Sequence, residues 1–333
     1  MPDTMITSEV DFDADGKQTG FLRLPHSVHR SAYGWIPIPV VVIKNGVGPT
    51  ILLVAGTHGD EYEGQIALTK LCRDLVAERI QGRIIILTMA NYPAARAGLR
   101  TSPIDEGNLN RSFPGDTAGS PTQMIAHYIE EVLLPICDYA IDLHSGGSSL
   151  YYPPTLLRGR GHDPTETAKL IALQHAFDLP FAWVFTSGGG PRSTARTLMG
   201  AANRNGVACV MAELGGGGAV SRDILDLTER GLRRVLHRLD MLPGHVPDDA
   251  RGTRELNVAG SVYAYDRGLF EPLKGIGDPV GTGEVVGRVY TPDTPWNMPT
   301  NVISPHTGIV LCKRVPGQVE RGDALFQIAY DAP

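Results

Sequence analysis

The stretch Val54-Ala55-Gly56-Thr57-His58-Gly59-Asp60-Glu61-Tyr62-Glu63-Gly64 decides how the chain is read, and an apolar run, Ile51 to Val54, leads into it. The pattern predicts a buried strand, a glycine-loosened turn and a helix starting near Glu61. His58 and Glu61 sit three apart on that turn, which brings an imidazole nitrogen and a carboxylate oxygen within reach of one metal ion. Zinc accepts such ligands at about 2.0–2.2 Å, and catalytic zinc sites use three protein ligands and keep one position open. A His-x-x-Glu pair also recurs by chance, and a glutamate at a helix start is explained by the helix dipole alone. What favours the metal is the setting, because open α/β sheets bind ligands at the carboxyl ends of their strands.

Two more apolar strands end in chemistry. Tyr139 to Leu143 runs into His144-Ser145-Gly146-Gly147, and Val207 to Ala212 runs into Glu213 ahead of Gly215 to Gly218. If these strands lie side by side and point the same way, His58, Glu61, His144 and Glu213 meet on one rim. His58, Glu61 and His144 then form a His2Glu set of the catalytic zinc type. Asp142 precedes His144 by two and shares its face of the strand. It either fixes the tautomer of a metal-bound imidazole or is a buried acid bonded to backbone amides. Glu213 is the candidate general base, able to take a proton from water and pass it to a leaving amine. An isolated glutamate is more often a solvated loop residue; its place at a strand end argues for catalysis. The long polar stretch Asn91 to Gly119 carries Arg96, Arg100, Asp105, Asn108, Asn110 and Arg111. Asn110 with Arg111 suits a substrate carboxylate, and Arg100 suits a developing oxyanion. Without the metal set, these arginines would read as surface residues in loop salt bridges.

Gly56-Thr57-His58-Gly59-Asp60-Glu61, Asn108-Leu109-Asn110-Arg111-Ser112-Phe113-Pro114-Gly115, Asp142-Leu143-His144 and Glu213-Leu214-Gly215 together resemble the succinylglutamate desuccinylase/aspartoacylase family, a branch of the zinc carboxypeptidase-like fold. The resemblance spans about residues 50–240. It implies one zinc ion per chain, held by His58, Glu61 and His144, with Glu213 as the base. It also implies that Arg100 polarises the scissile carbonyl, that Asn110 and Arg111 hold the substrate carboxylate, and that an all-β C-terminal domain partly covers the mouth. Within the family, the chain most resembles the branch that deacetylates N-acetyl-L-2,4-diaminobutyrate in bacterial ectoine breakdown. The implied reaction is hydrolysis of a small N-acyl amino acid; deacylation of another such compound, or carboxypeptidase action, is the alternative. Tyr263, Tyr265 and Arg192 are further polar candidates for substrate contact.

The remaining features bound this reading. The 333 residues are 42 % hydrophobic and 20 % charged, which allows a large core. The net charge of −6 is spread without a basic stripe, arguing against nucleic acid. No apolar run approaches the roughly 20 residues of a membrane span, and Met1 to Gly20 is unlike a secretory signal. Cys72, Cys137, Cys209 and Cys312 are far apart and read as free thiols. A cytoplasmic protein, by base rates a homodimer, is expected. The fold class is α/β: a mixed sheet flanked by helices over residues 1–245, with an N-terminal β segment at 20–45, and an all-β barrel-sandwich domain over 250–333. Residues 1–20 are expected to be loosely attached, and Ile36 to Ile43, with its prolines, to be an edge strand. Helices are expected over 63–79, 122–134, 164–178, 193–205 and 221–239, and the glycine-rich Ser187 to Pro191 between elements. A weak echo links Val280-x-x-Gly283-Glu284-Val285 to Val319-x-x-Gly322-Asp323-x-Leu325, as in biotinyl and lipoyl carrier domains. A carrier is disfavoured, because Lys274 and Lys313 lack the usual flanking residues.

Overall fold

The computed structural model describes residues 3–185 and 193–332. Its strands are β1 (Thr7–Ser8), β2 (Gly16–Pro25), β3 (Trp35–Asn45), β4 (Thr50–Ala55), β5 (Gly82–Leu87), β6 (Tyr139–His144), β7 (Leu150–Arg158), β8 (Phe181–Val184), β9 (Ala208–Gly216) and β10 (Arg254–Tyr263). β11 (Gly268–Pro272), β12 (Pro279–Val280), β13 (Val285–Tyr290), β14 (Thr300–Ile303), β15 (Gly308–Arg314), β16 (Gln318–Val319) and β17 (Ala324–Asp331) follow. The helices are α1 (Tyr62–Asp74), α2 (Tyr92–Ala97), α3 (Pro121–Tyr128), α4 (Pro164–Phe177), α5 (Leu198–Arg204) and α6 (Arg222–Arg238).

One mixed sheet runs β1-β2-β3-β5-β4-β6-β9-β7-β8-β10-β17-β15-β12. Its centre, β5, β4, β6 and β9, is parallel. Both faces of that centre are covered, which is why these strands are continuous apolar runs rather than alternating ones. Ile51, Leu53, Ile141, Leu143, Val210 and Ala212 pack into a core with residues of α1, α4 and α6. Leu52, Val54, Ala140 and Cys209 pack on the other side with residues of α3 and α5. Each fully buried leucine or isoleucine contributes about 1.5–3 kcal/mol, so the strands are fixed well below the rim that carries the polar groups. α4 and α6 start on side-chain caps: Asp163 accepts from the backbone N–H groups of Thr165 and Glu166, and Ser221 from that of Ile224.

Several expectations need correction. Residues 6–20 are not loosely attached: Ile6 and Val10 are buried, and β1 and β2 extend the sheet. β3 is not an edge strand. It pairs with β2 along its length and with β5 from Val41 to Asn45. Its prolines survive because Pro37 and Pro39 fall before β5 begins, where one side needs no ladder N–H. β7 was hidden by Pro153-Pro154; a register shift between Tyr152 and Thr155 absorbs them. The loop from Asn91 contains α2, ended by Gly98 in a left-handed conformation at φ 63°. The helix expected over 63–79 stops at Asp74, because Leu75 turns extended and into the core. The one expected over 193–205 begins only at Leu198. Ser187 to Pro191 and Arg192 lie outside the described residues.

Beyond α6 the described chain is all β. A second sheet, β14-β13-β11-β16, faces strands of the first across a core that includes Phe270, Val286, Val302, Phe326 and Ile328. The sequence echo is real in geometry. In both turns a glycine with positive φ, Gly283 at 85° and Gly322 at 95°, precedes an acid. That acid's carboxylate accepts a backbone N–H three residues back, Glu284 from Gly281 at 2.8 Å and Asp323 from Glu320 at 2.9 Å.

Candidate metal centre and active-site cavity

The parallel centre sets the site. β4 and β6 are in register from Ile51/Tyr139 to Ala55/Leu143, and β6 and β9 from Tyr139/Ala208 to His144/Glu213. His144, the last residue of β6, and Glu213, where the ladder between β6 and β9 ends, are therefore direct neighbours, though β9 runs on to Gly216 rather than stopping at Glu213; the turn after β4 delivers His58 and Glu61 beside them. Glu61 occupies the N-cap position of α1 with extended backbone, φ −113° and ψ 100°. Gly59 is needed in this turn: a Cβ there would lie 1.9 Å from the carbonyl oxygen of Ala94.

His58 Nδ1 lies 2.8 Å from Glu61 Oε1, and His144 Nδ1 lies 2.8 Å from Glu61 Oε2. One ligand atom from each of the three residues falls within 4.8 Å of the others, and all three side chains are buried. Both imidazoles turn their second nitrogen outward to an acceptor. His144 Nε2 lies 2.8 Å from Asp142 Oδ2, and His58 Nε2 lies 3.1 Å from Asn108 Oδ1. Nδ1 of each ring faces inward, and acceptors at Nε2 hold the proton there when a metal takes Nδ1. Two such nitrogens and a carboxylate make a donor set that fits zinc in kind and number.

The electrostatics agree with the packing. Burial opposes ionisation of Glu61, yet the facing His58 and His144 imidazoles hold its carboxyl well below the usual range. Burial opposes protonation of His144, but Asp142 and Glu61 outweigh it and raise its pKa well above the ordinary value. Glu213 is pushed up to about 8, first by burial and then by the Glu61 charge. Its Oε2 is buried without a hydrogen-bond partner among the described residues.

Asp142 is fully buried and bonds His144 and the Thr57 hydroxyl, the latter at 3.2 Å, rather than backbone amides. Arg100 leans in over the cluster, its Nη1 3.4 Å from Glu61 Oε1. Asn110 is buried; its Oδ1 accepts the Leu198 N–H at 3.1 Å, which explains where α5 begins. Arg111 donates to the Asn110 carbonyl at 2.6 Å, and burial, then Arg100 and Arg196, lower its pKa. The other loop residues do different work: Asp105 accepts from the N–H and hydroxyl of Thr122 in α3, and Arg96 is exposed.

His58, Glu61, Arg100, Asn110, Arg111, His144 and Glu213 line one cavity of about 850 Å³, and Tyr263 shares its wall. Tyr265, 56 % exposed, is not among its described lining residues. Sequence reasoning missed two supports. Asn108 as the partner of His58 was visible only as a motif letter. Asp60, whose Oδ2 accepts from the N–H and hydroxyl of Ser148 at 2.7 and 2.8 Å, fixes the loop after His144; no local pattern marks it.

Strand ends presenting a three-donor metal-type cluster beside a glutamate and two arginines define a metallohydrolase-like α/β class. Residues 47–239 match the succinylglutamate desuccinylase/aspartoacylase catalytic domain. The chain is 42 % identical over 328 residues to the N-alpha-acetyl-L-2,4-diaminobutyric acid deacetylase of Halomonas elongata, covering 97 % of this chain and 94 % of that one. It superposes with a TM-score of 0.93 and 38 % identity on the product-bound ectoine utilization protein EutE (DoeB) of Ruegeria pomeroyi, covering 99 % of this chain and all of that one. A succinylglutamate desuccinylase/aspartoacylase of Rhodobacter sphaeroides gives 0.91 and 36 %, with the same coverage. The chain belongs to the succinylglutamate desuccinylase/aspartoacylase family.

Proposed function

We propose that this protein hydrolyses the amide of N-α-acetyl-L-2,4-diaminobutyrate, giving acetate and L-2,4-diaminobutyrate, a step of ectoine breakdown. The likeness to the Halomonas deacetylase over nearly the whole chain supports the substrate. The reaction type rests on one observation: His144 and Glu213 are paired across neighbouring strands, facing the same cavity as His58 and Glu61.

His58, Glu61 and His144 would hold a zinc ion. When bound, zinc supplies a Lewis acid to the carbonyl and favours ionisation of water. Glu213 takes a proton from the attacking water and returns it to the amide nitrogen as the carbon–nitrogen bond breaks. The water oxygen ends in the acetyl product with its second proton; that proton then passes to the released amine, leaving acetate and an ammonium. Arg100 faces the oxygen that gains charge as the carbonyl becomes tetrahedral. Arg111, beside Asn110, binds the substrate carboxylate; its lowered pKa reflects burial and neighbouring cations, and an anion relieves the latter. Asp142 and Asn108 keep the two imidazoles in their ligand tautomers.

The two sheets of the C-terminal region, closing on one core, support a barrel-sandwich domain that walls the mouth. The free thiols Cys72, Cys137, Cys209 and Cys312 support a cytoplasmic setting. The test is a turnover screen of zinc-loaded protein against N-acetyl, N-succinyl and N-formyl amino acids, including N-α-acetyl-2,4-diaminobutyrate, with a peptide panel alongside. Preferred cleavage of the acetyl-diaminobutyrate is expected. Turnover confined to succinyl compounds or to peptides would assign the protein to a different branch.

A further inference from the structure

We propose that the uncharged cavity wall formed by β10 and β17, with the Gln327 amide at its centre, is the subsite for the distal ammonium group of the substrate. The assignment rests on the deacylase reading above and deepens it.

The cavity is electrically divided. Its described cationic residues, Arg100, Arg111 and Arg160, come from the catalytic region. The facing wall offers Asn257, Ser261, Gln327 and Tyr330, all neutral. Backbone register places them in two cross-strand pairs, Ser261 opposite Gln327 on one face and Asn257 opposite Tyr330 on the other. A substrate whose carboxylate is drawn to Arg111 must direct a positively charged side chain away from the arginines, because like charges at close range repel. The neutral β10–β17 wall is a polar surface that meets this condition.

Gln327 has a second distinguishing feature. Its Oε1 is buried and has no hydrogen-bond partner among the described residues. Buried carbonyl oxygens are rarely left unpaired in folded chains, and one at a cavity wall is accounted for if the ligand brings the missing donor. An ammonium group carries three N–H donors and no acceptor, so it needs a set of oxygen acceptors. The Gln327 carbonyl and the Ser261 hydroxyl are two such groups on one face of the β10–β17 pair. An apolar side chain of the same length leaves the Gln327 carbonyl unpaired, which is the situation in which sites discriminate strongly.

The experiment compares kcat/KM for N-α-acetyl-2,4-diaminobutyrate and N-acetyl-norvaline, in which a methyl replaces the ammonium. It uses the zinc-loaded wild type, Gln327→Met, Gln327→Glu and Ser261→Ala. The wild type is expected to favour the ammonium compound by about 100-fold or more. In Gln327→Met, of similar shape but without an acceptor, that preference should drop about 10- to 100-fold, chiefly through KM. Gln327→Glu, which restores an acceptor, should keep the preference. Ser261→Ala reports on the same wall from the neighbouring strand, should Gln327→Met fail to fold, and should reduce the preference in the same direction. Equal losses on both compounds in Gln327→Met and Ser261→Ala, or a preference unchanged in both, overturns the assignment while leaving the deacylase reading intact. Turnover of neither compound by the wild type overturns both.

Discussion

Removing the charge of Glu213 should change how the metal-free protein responds to pH, and the structure fixes the sign. The carboxyl sits in β9 opposite His144, with one oxygen buried and unpartnered among the described residues. In the folded protein its pKa rises from 4.5 to about 8, burial being the largest cause. A carboxyl whose folded pKa is raised contributes stability that is fully present below its unfolded value and is lost as pH climbs through the folded one. At about 1.4 kcal/mol for each tenfold in the proton equilibrium, a rise from 4.5 to about 8 is worth on the order of 5 kcal/mol. Glu61, lowered instead, acts on the acid side: its contribution is present above its ordinary value and lost as pH falls, outside this window. His144, raised, loses stability upward from its ordinary 6.5 in both proteins. Urea unfolding of chelator-treated wild type and Glu213→Gln between pH 5 and 8.5 isolates the difference. The wild type should lose several kcal/mol relative to the variant across that range, and zinc should flatten its slope, because a nearby cation favours the carboxylate. Parallel stability curves for the two metal-free proteins would falsify the argument that burial of an ionisable Glu213 governs this corner of the site.

Three further outcomes follow from named contacts. Asp142→Asn should weaken zinc binding about 10- to 100-fold, read by competition with a chromophoric chelator; an unchanged affinity would show that the 2.8 Å bond to His144 does not tune the ligand. Arg111→Ala should raise KM about tenfold or more with a smaller effect on kcat, and a KM equal to that of the wild type would remove Arg111 from carboxylate binding. Leu53→Ala, at a fully buried position directly below the rim, should cost about 2–5 kcal/mol; a loss under about 1 kcal/mol in urea unfolding would mean the sheet centre repacks freely.

The part of the site built from local pattern was legible in the sequence. A buried strand that ends in glycine and a polar side chain announces itself three times, at His58/Glu61, His144 and Glu213, and parallel pairing of those strands is enough to bring the groups together. Asn108 was not legible in its role, because its contact with His58 spans 50 residues and its backbone follows no regular element. β7 was masked by its two prolines, which signal a turn unless a bulge is already known. β2 was masked by a polar, alternating composition, GKQTGFLRLP, that reads as loose chain until a partner strand covers its apolar face. These misses share a cause: each element takes its stability from residues far away in sequence.

The same cause explains why a boundary near residue 250, reasonable from composition, does not separate two sheets. β10 pairs in parallel with β8, Arg254 opposite Phe181, and β15 returns to β7, Lys313 opposite Tyr151. The strands β7, β8, β10, β17 and β15 therefore close a ring of backbone hydrogen bonds. β7 belongs to that ring and also pairs with β9, where Thr155 lies opposite Glu213 and Tyr152 opposite Gly215. One strand thus carries the ladder from Glu213 on one side to the ring that holds Gln327 on the other. A wall joined through continuous strand pairing cannot swing away from the strand ends without breaking several backbone bonds at once. The distance between Glu213 and the β10–β17 wall is thereby set by covalent geometry and register rather than by a hinge. Substrate length is then read against a fixed ruler, and a side chain one methylene longer or shorter than diaminobutyrate should misplace its ammonium at Gln327 rather than its amide at Glu213.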